Sequence, residues 1–468
     1  IINRLVKEKI ISEEAGKQAK AEPISPKKIE IKNAPYFVEY IRQQLEARHG
    51  SNMLYKGGLS VQTTLDLKIQ DICQAALNSG IEKTIARIAR QNGEKETLIK
   101  NIERLKKKIP LQGAVVAINP QNGYIKALIG GRDFSESEFN RAIQSKRQPG
   151  SAFKPFIYTA AIESGFTAAD IILDTPMVFN DANTGKSWKP ENYEKKFHGP
   201  TSLRNALANS RNVVTLKLLT KVGTIPVATY AKKMGIKSEI RRDFSIAFGT
   251  SEVNLLELTD AYCVFANQGF RVEPAAILSV KDSSEKTIDE YVPPLKEEAL
   301  KAESAYVMTS LLEGVIDKGT ATIIREMGFT GKAGGKTGTT DNNVDVWFVG
   351  FTPDLVCGVW LGFDDRRTIG EGMAAAVVAA PVWGDIMLGI YKDAIKPDFP
   401  VPQNIIMVKI DPTTGLLATD QCKKVTEEIF IKGTEPQKFC NTHTSLKLFP
   451  SLGARPEATT AEVKAPAH

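Results

Sequence analysis

Gly113-Ala-Val-Val-Ala-Ile118, Asn119-Pro-Gln-Asn-Gly123 and Tyr124-Ile-Lys-Ala-Leu-Ile129 follow one another without a break, and this stretch decides the fold. Two apolar runs of strand length on either side of an Asn/Pro/Gly turn read as a β-hairpin. Three further strand candidates come much later, near 334–340, 345–352 and 355–363. Only Pro353-Asp354 separates the last two, which makes them antiparallel neighbours. The intervening stretch, roughly 151–330, is mostly helical in pattern. Strands, then helices, then strands joined by short turns predict an α+β fold whose antiparallel sheet closes over a long sequence distance.

Working outward, Gly58–Asp66 is a short β-rich run that leads into a helix with Asp66 as its N-cap. Residues 94–109 are rich in lysine, with Leu98, Ile99, Ile102, Leu105 and Ile109 at helical spacing. They read as a solvated helix over a small core contact. Residues 1–50 are charged, helix-leaning and interrupted by Pro23 and Pro26, as a connector would be. The Ala- and Pro-rich tail, 451–468, has the composition of a disordered segment. There is no internal repeat.

The 468 residues suffice for more than one domain, and the 42% hydrophobic and 25% charged content is that of a globular protein. A net charge of +7 favours an anionic neighbour such as a membrane surface, but the basic residues are interspersed with acids, so nucleic acid is not expected as a partner. The longest uncharged run, Gly372–Gly384, is far shorter than a membrane span and contains Pro381. The chain starts at Ile1 and reads as a soluble piece of something longer.

Of five cysteines, Cys73, Cys263 and Cys357 lie in apolar segments and read as buried thiols. Cys422 and Cys440 lie in a polar, loop-rich region and are the pair expected to form a disulfide in an oxidising compartment. Cys440-Asn-Thr-His443 has a metal-like spacing, but no fourth ligand stands nearby in sequence, and no metal is assigned.

Ser-x-x-Lys occurs at Ser25–Lys28, Ser151–Lys154 and Ser283–Lys286. Ser25 precedes Pro26 in the connector, and Ser283 sits in a charged turn, so both read as surface residues. Ser151 follows Gln148-Pro-Gly150 and opens the apolar run Phe153, Phe156, Ile157, Tyr158 and Ala160–Ile162. A serine at a helix start has free N–H groups and the positive dipole end beside it, where a developing oxyanion is stabilised. Lys154, three positions on, returns to the same helix face, and Pro155 costs little in a first turn. A lysine base must be neutral to act. Bringing its pKa from about 10.4 to about 7.5 takes about 4 kcal/mol, from burial and a neighbouring cation. Lys336, in Lys336-Thr-Gly-Thr339 after Gly331, Gly334 and Gly335, is the candidate cation, on a strand where Gly338 admits a close backbone approach. Ser210-Arg-Asn212 completes a set of nucleophile with base, hydroxyl relay, and cation with hydroxyls.

Ser-x-x-Lys with a Ser-x-Asn triplet and Lys-Thr-Gly is the combined signature of penicillin-binding proteins and class A β-lactamases. Longer stretches resemble the transpeptidase half of the class A, bifunctional penicillin-binding proteins. They are Val61–Asp66, Arg147–Phe156, Phe248–Val253 with Ala261-Tyr262 and Phe265–Gly269, and Gly335–Thr340 with Trp347–Gly350. The similarity runs from about residue 30 to about 445.

That resemblance implies a transpeptidase/β-lactamase-like fold with an all-helical subdomain beside the sheet. It implies a connector over 1–50, a small linker domain over 51–110, the transpeptidase domain over 111–395, a C-terminal β/loop segment over 396–450 and a tail. Ser151 would attack the penultimate D-Ala carbonyl of a peptidoglycan stem peptide and Lys154 would take its proton. Ser210 would relay a proton to the leaving amine and Asn212 would hold the substrate amide. Lys336 would stay charged and set the local field. Thr337 and Thr339 would bind the terminal carboxylate, with the N–H groups of Ser151 and Thr339 as oxyanion hole. No cofactor is implied. The implied partners are stem peptides, β-lactams bound covalently, cell-wall synthesis proteins and the membrane, through an anchor upstream, at the outer face of the cytoplasmic membrane. The family's upstream glycosyltransferase domain carries a Glu-Asp motif. This chain has no Glu-Asp dipeptide, so glycan polymerisation is not expected of it.

Three rivals fit less well. A serine β-lactamase would need a deacylating Glu-x-x-Leu-Asn run, which is absent. A β-lactam or muropeptide sensor, or a scaffold without catalysis, would not need the complete motif set. Beside these three, a D,D-carboxypeptidase differs only in sending the acyl group to water, and the sequence does not separate it from a transpeptidase.

Overall fold

The structure is a computed structural model, and it describes residues 2–21, 33–95, 101–180, 187–392 and 397–443. Pro23, Pro26, the Ser25–Lys28 pair, Leu98, Ile99 and the tail 451–468 lie outside the described residues.

Five strands make the central antiparallel sheet: β1 (Gln112–Ile118), β2 (Ile125–Ile129), β3 (Gly334–Thr339), β4 (Asp345–Phe351) and β5 (Val356–Gly362). Their spatial order is β3-β4-β5-β1-β2, so the β1–β2 hairpin joins the late strands through β5. All residues of β1, β4 and β5 are buried, which explains their continuous apolar runs in place of a polar alternation. The hairpin turn works as its composition predicts. Asn119 Oδ1 accepts from the N–H groups of Gln121 and Asn122, and Gly123 takes a left-handed φ of 72°.

Helices cover both faces. On one lie α1 (Leu67–Gln91) and α7 (Ala375–Ile390), which meet where Gly80 packs on Val382. Asp66 caps α1 as expected, accepting from the Ile69 N–H. On the other face lie α2 (Lys154–Glu163), α5 (Leu255–Ala266) and α6 (Ala302–Asp317), with Gly358 of β5 leaving room for Leu255 and Thr259. Helices α3 (Leu203–Ala208) and α4 (Asn212–Val222) extend this layer. Short two-stranded ribbons, such as Ile171–Asp174 with Gly199–Ser202, are set among these helices. The core is one continuous cluster running through the sheet and both helical layers. After the sheet, β6 (Ile405–Ile410) and β7 (Thr426–Ile431) form a separate antiparallel hairpin. No helix among the described residues is long and apolar enough to cross a membrane.

Cys73, Cys263 and Cys357 are buried thiols, as expected. The expected Cys422–Cys440 bridge is not formed: both are thiols, each held by other partners. Cys422 accepts from the Thr419 N–H at 3.3 Å, and Cys440 faces Asp411 and His443.

Candidate active site

The backbone around Ser151 is set by glycines. Gly150 has a φ of 54° and begins a 3₁₀ turn, Gly150–Phe153, that runs directly into α2. Its N–H bonds the carbonyl of Gly249, itself at a φ of 66°, and Arg147 pairs with Val253 through two 2.9 Å backbone bonds. The Phe248–Val253 segment therefore clamps the nucleophile turn from one side. Trp347 of β4 donates to the Gln148 carbonyl at 2.9 Å and Tyr262 of α5 to the Ala152 carbonyl at 2.6 Å. Strand β3 lies against the turn, and Gly338 is the point of contact, since a Cβ there would come within 2.9 Å of the Ala152 Cβ.

Lys154 is fully buried one turn behind Ser151. Its Nζ donates to the Ser210 carbonyl at 2.6 Å and to Asn212 Oδ1 at 2.7 Å, and lies 3.2 Å from Ser210 Oγ. Lys154 of the Ser151-x-x-Lys154 run thus meets both Ser210 and Asn212, although they lie far apart in the chain. Ser210 sits in left-handed backbone with a φ of 56°, which turns both its carbonyl and its hydroxyl toward Lys154. Burial drives the Lys154 pKa well below the usual lysine range, and the nearby Lys336 charge pushes it further in the same direction. No acid balances it in the first contact shell; both of its strong acceptors are neutral.

Lys336 is also fully buried, on β3, with its Nζ 3.1 Å from the Thr337 carbonyl. Its burial works against the charge expected of it. Burial alone lowers its pKa to about 7. The sign of the resulting pH dependence is fixed. The unfolded chain holds this proton up to about pH 10.4 and the folded chain releases it near 7, so its burial penalty is full below 7 and is relieved as pH rises. Between about pH 7 and 10, replacing Lys336 with Met is expected to reduce the rise of unfolding free energy by up to about 1.4 kcal/mol per pH unit. Urea titrations at stepped pH measure it, and an unchanged slope would refute the assignment.

The hydroxyls of β3 are placed by partners that sequence reasoning missed. Thr337 Oγ1 lies 2.8 Å from Thr320 Oγ1, and Thr339 Oγ1 accepts from the Ala375 N–H at the start of α7. Asn212 is held by a buried loop network. Asn192 Oδ1 accepts from the N–H groups of Asn212 and Val213, at 2.9 and 3.3 Å, capping α4, while Asn192 Nδ2 donates to both oxygens of buried Asp174. Neither residue carries a local signal, because the network exists only once loop and helix are folded together. Asn192→Ala is expected to cost at least about 2 kcal/mol, since it strands two N–H donors and leaves the buried Asp174 carboxylate with the His198 N–H in place of the Asn192 amide, and chemical denaturation measures it.

The model of the penicillin-binding protein transpeptidase domain matches residues 113–387. The chain belongs to the penicillin-binding protein family. A second model, the C-terminal domain of penicillin-binding protein 1A, matches residues 401–445. Penicillin-binding protein 1A of Aquifex aeolicus is 33% identical over 94% of this chain and 68% of its own length. That of Rickettsia conorii is 30% identical, with 89% and 65% covered, and that of Pseudomonas aeruginosa 36% identical, with 65% and 43% covered. The chain therefore spans only part of these penicillin-binding proteins. The crystal structure of penicillin-binding protein 1A from Haemophilus influenzae superposes with a TM-score of 0.80 at 27% identity, covering 94% of this chain and 82% of that one. PonA1 of Mycobacterium tuberculosis, solved in complex with penicillin V, shares the fold at a TM-score of 0.65 and 24% identity.

Proposed function

We propose that this chain is a serine D,D-transpeptidase of peptidoglycan synthesis, acylated at Ser151, within a transpeptidase domain spanning about 111–395. The observation that carries the reading is the bonding of Lys154. A neutral amine has two N–H groups and one lone pair. The Ser210 carbonyl and Asn212 Oδ1 take the two N–H groups, and the third contact, Ser210 Oγ at 3.2 Å, is a hydroxyl that can exchange a proton with the lone pair.

In the proposed reaction Ser151 Oγ attacks the carbonyl carbon of the penultimate D-Ala as its proton passes to Lys154 Nζ. The oxyanion is received by the N–H groups of Ser151 and Thr339. The C–N bond then breaks, the terminal D-Ala leaves with a proton delivered from Lys154 through Ser210 Oγ, and a Ser151 ester remains. An amine of a second stem peptide attacks the ester, forms the cross-linking amide and returns the proton to Ser151. Lys336, Thr337 and Thr339 face the substrate's terminal carboxylate, whose charge raises the Lys336 pKa and restores its proton. β-Lactams enter as substrate mimics, and membership of the family supports a site that works at the outer face of the cytoplasmic membrane.

Intact mass and peptide mapping after incubation with a β-lactam test the nucleophile. One acyl group is expected on the peptide holding Ser151 and none in Ser151→Ala. Incubation with a pentapeptide donor and an amine acceptor tests the reaction, with D-Ala release and an amide product expected. D-Ala release without amide would assign a carboxypeptidase, and a β-lactam adduct without any D-Ala release would assign a sensor.

A further inference from the structure

The C-terminal hairpin gathers a second set of chemically active side chains, remote in sequence from the Ser151 site. Asp411 follows β6 directly and turns back on itself, its N–H donating to the Leu416 carbonyl and its carbonyl accepting from the Gly415 N–H. Leu417 then pairs with Ile410 on one side and Phe439 on the other, and the Cys440 N–H bonds the Leu417 carbonyl at 2.7 Å. Cys422 comes from the turn between β6 and β7, and His443 lies three residues beyond Cys440. One ligand atom from each of Asp411, Cys422, Cys440 and His443 lies within 4.8 Å of all the others.

The two separations from Cys440 are close to those of a tetrahedral zinc shell. Metal bonds of about 2.3 Å to sulfur and about 2.1 Å to nitrogen or oxygen give tetrahedron edges of about 3.4 Å between N and O, about 3.6 Å to one sulfur and about 3.8 Å between two. Cys440 Sγ lies 3.4 Å from His443 Nδ1 and 3.5 Å from Asp411 Oδ2. His443 Nδ1 and Asp411 Oδ2 are 2.7 Å apart and would part slightly to admit the ion. The other carboxylate oxygen of Asp411 accepts from the Thr413 N–H at 2.8 Å, an outer bond of the kind that orients a metal ligand. Asp411 and Cys440 are 1% exposed while Cys422 and His443 are half-buried, so the ion would be covered from the Asp411 and Cys440 side.

We propose that Asp411, Cys422, Cys440 and His443 bind one structural zinc ion. Four protein ligands leave no open position, so the ion staples and does not catalyse. The hairpin needs such a staple. Among the described residues its own buried cluster is Ile410 and Phe430 against Ala169, and although Ile405, Ile429 and Ile431 pack on the main core, the segment around Leu417, Cys422 and Cys440 has little apolar area of its own. Both thiols lose their protons on binding, giving two thiolates, a carboxylate and a neutral imidazole around the ion. The two ligands missing from the Cys440–His443 spacing are supplied by residues that only the β6–β7 fold brings near.

Elemental analysis of the whole chain, purified from zinc-supplemented medium without chelator, tests the site. About one zinc per chain is expected, falling at least tenfold in Cys440→Ser and His443→Ala, with the Ser151 adduct retained as the check that the rest is folded. Cobalt exchanged into the unsubstituted chain should give thiolate-to-cobalt charge-transfer absorption, which needs no variant to fold. Alkylation under denaturing, chelating, non-reducing conditions should count five thiols. Three thiols, meaning a Cys422–Cys440 disulfide, or unsubstituted chain free of zinc and silent with cobalt, would overturn the proposal.

Discussion

Replacing Lys154 with arginine is expected to slow acylation of Ser151 by at least about a hundredfold, the lower end of what a positioned base contributes. Arginine keeps the charge but does not give up its proton in proteins, so no lone pair remains to receive the serine proton. The surroundings of Lys154 also disfavour a charge there. Lys154 is fully buried against two neutral acceptors, and its pKa is lowered first by that burial and then by Lys336. A permanent guanidinium there would also repel Lys336. Lys336→Arg retains a cation that the substrate carboxylate stabilises and is expected to cost less. The pH profile separates the two roles, since acylation should rise with pH as Lys154 loses its proton. Acylation rates with a chromogenic β-lactam measure both variants. An unimpaired Lys154→Arg would refute a lysine base.

Much of this was readable from local sequence. Strand limits near 113, 345 and 355 follow from apolar runs bounded by turn residues, and Asp66 caps its helix as its position implies. The nucleophile turn is legible because Pro149, Gly150 and the apolar run after Lys154 are contiguous. Ser210 and Asn212 could be placed at the site only through a family resemblance, because Ser-x-Asn has no distinctive local form. Thr320, Asn192 and Asp174 were missed, since each acts through a side-chain bond between segments the chain separates widely. The extent of Lys336 burial was likewise invisible. Gly-rich β3 reads as an edge strand, and only helix α6 and the nucleophile turn packing over it remove the lysine from water.

Gly338→Ala is expected to lower acylation on the order of a hundredfold through geometry alone. The added Cβ would stand 2.9 Å from the Ala152 Cβ, 3.1 Å from the Ala152 nitrogen and well inside contact distance of the Pro149 carbonyl. None of these can swing aside, because the turn is tied to Gly249, Trp347 and Tyr262. Strand β3 must therefore retreat by about 1 Å, a displacement that costs about a hundredfold when it separates reacting groups. What retreats is the strand holding Lys336, Thr337 and the Thr339 N–H, so acylation should fall more than overall stability, which overpacking lowers by about 1–3 kcal/mol. Gly314→Ala is the matched control. Gly314 lies inside α6, where an added Cβ meets nothing nearer than 3.9 Å, so the chain should gain up to about 1 kcal/mol and acylate at its normal rate. Parallel acylation kinetics and thermal melts of the two variants measure both effects. If Gly338→Ala acylated as fast as Gly314→Ala, the contact between β3 and the nucleophile turn would not be what aligns the site.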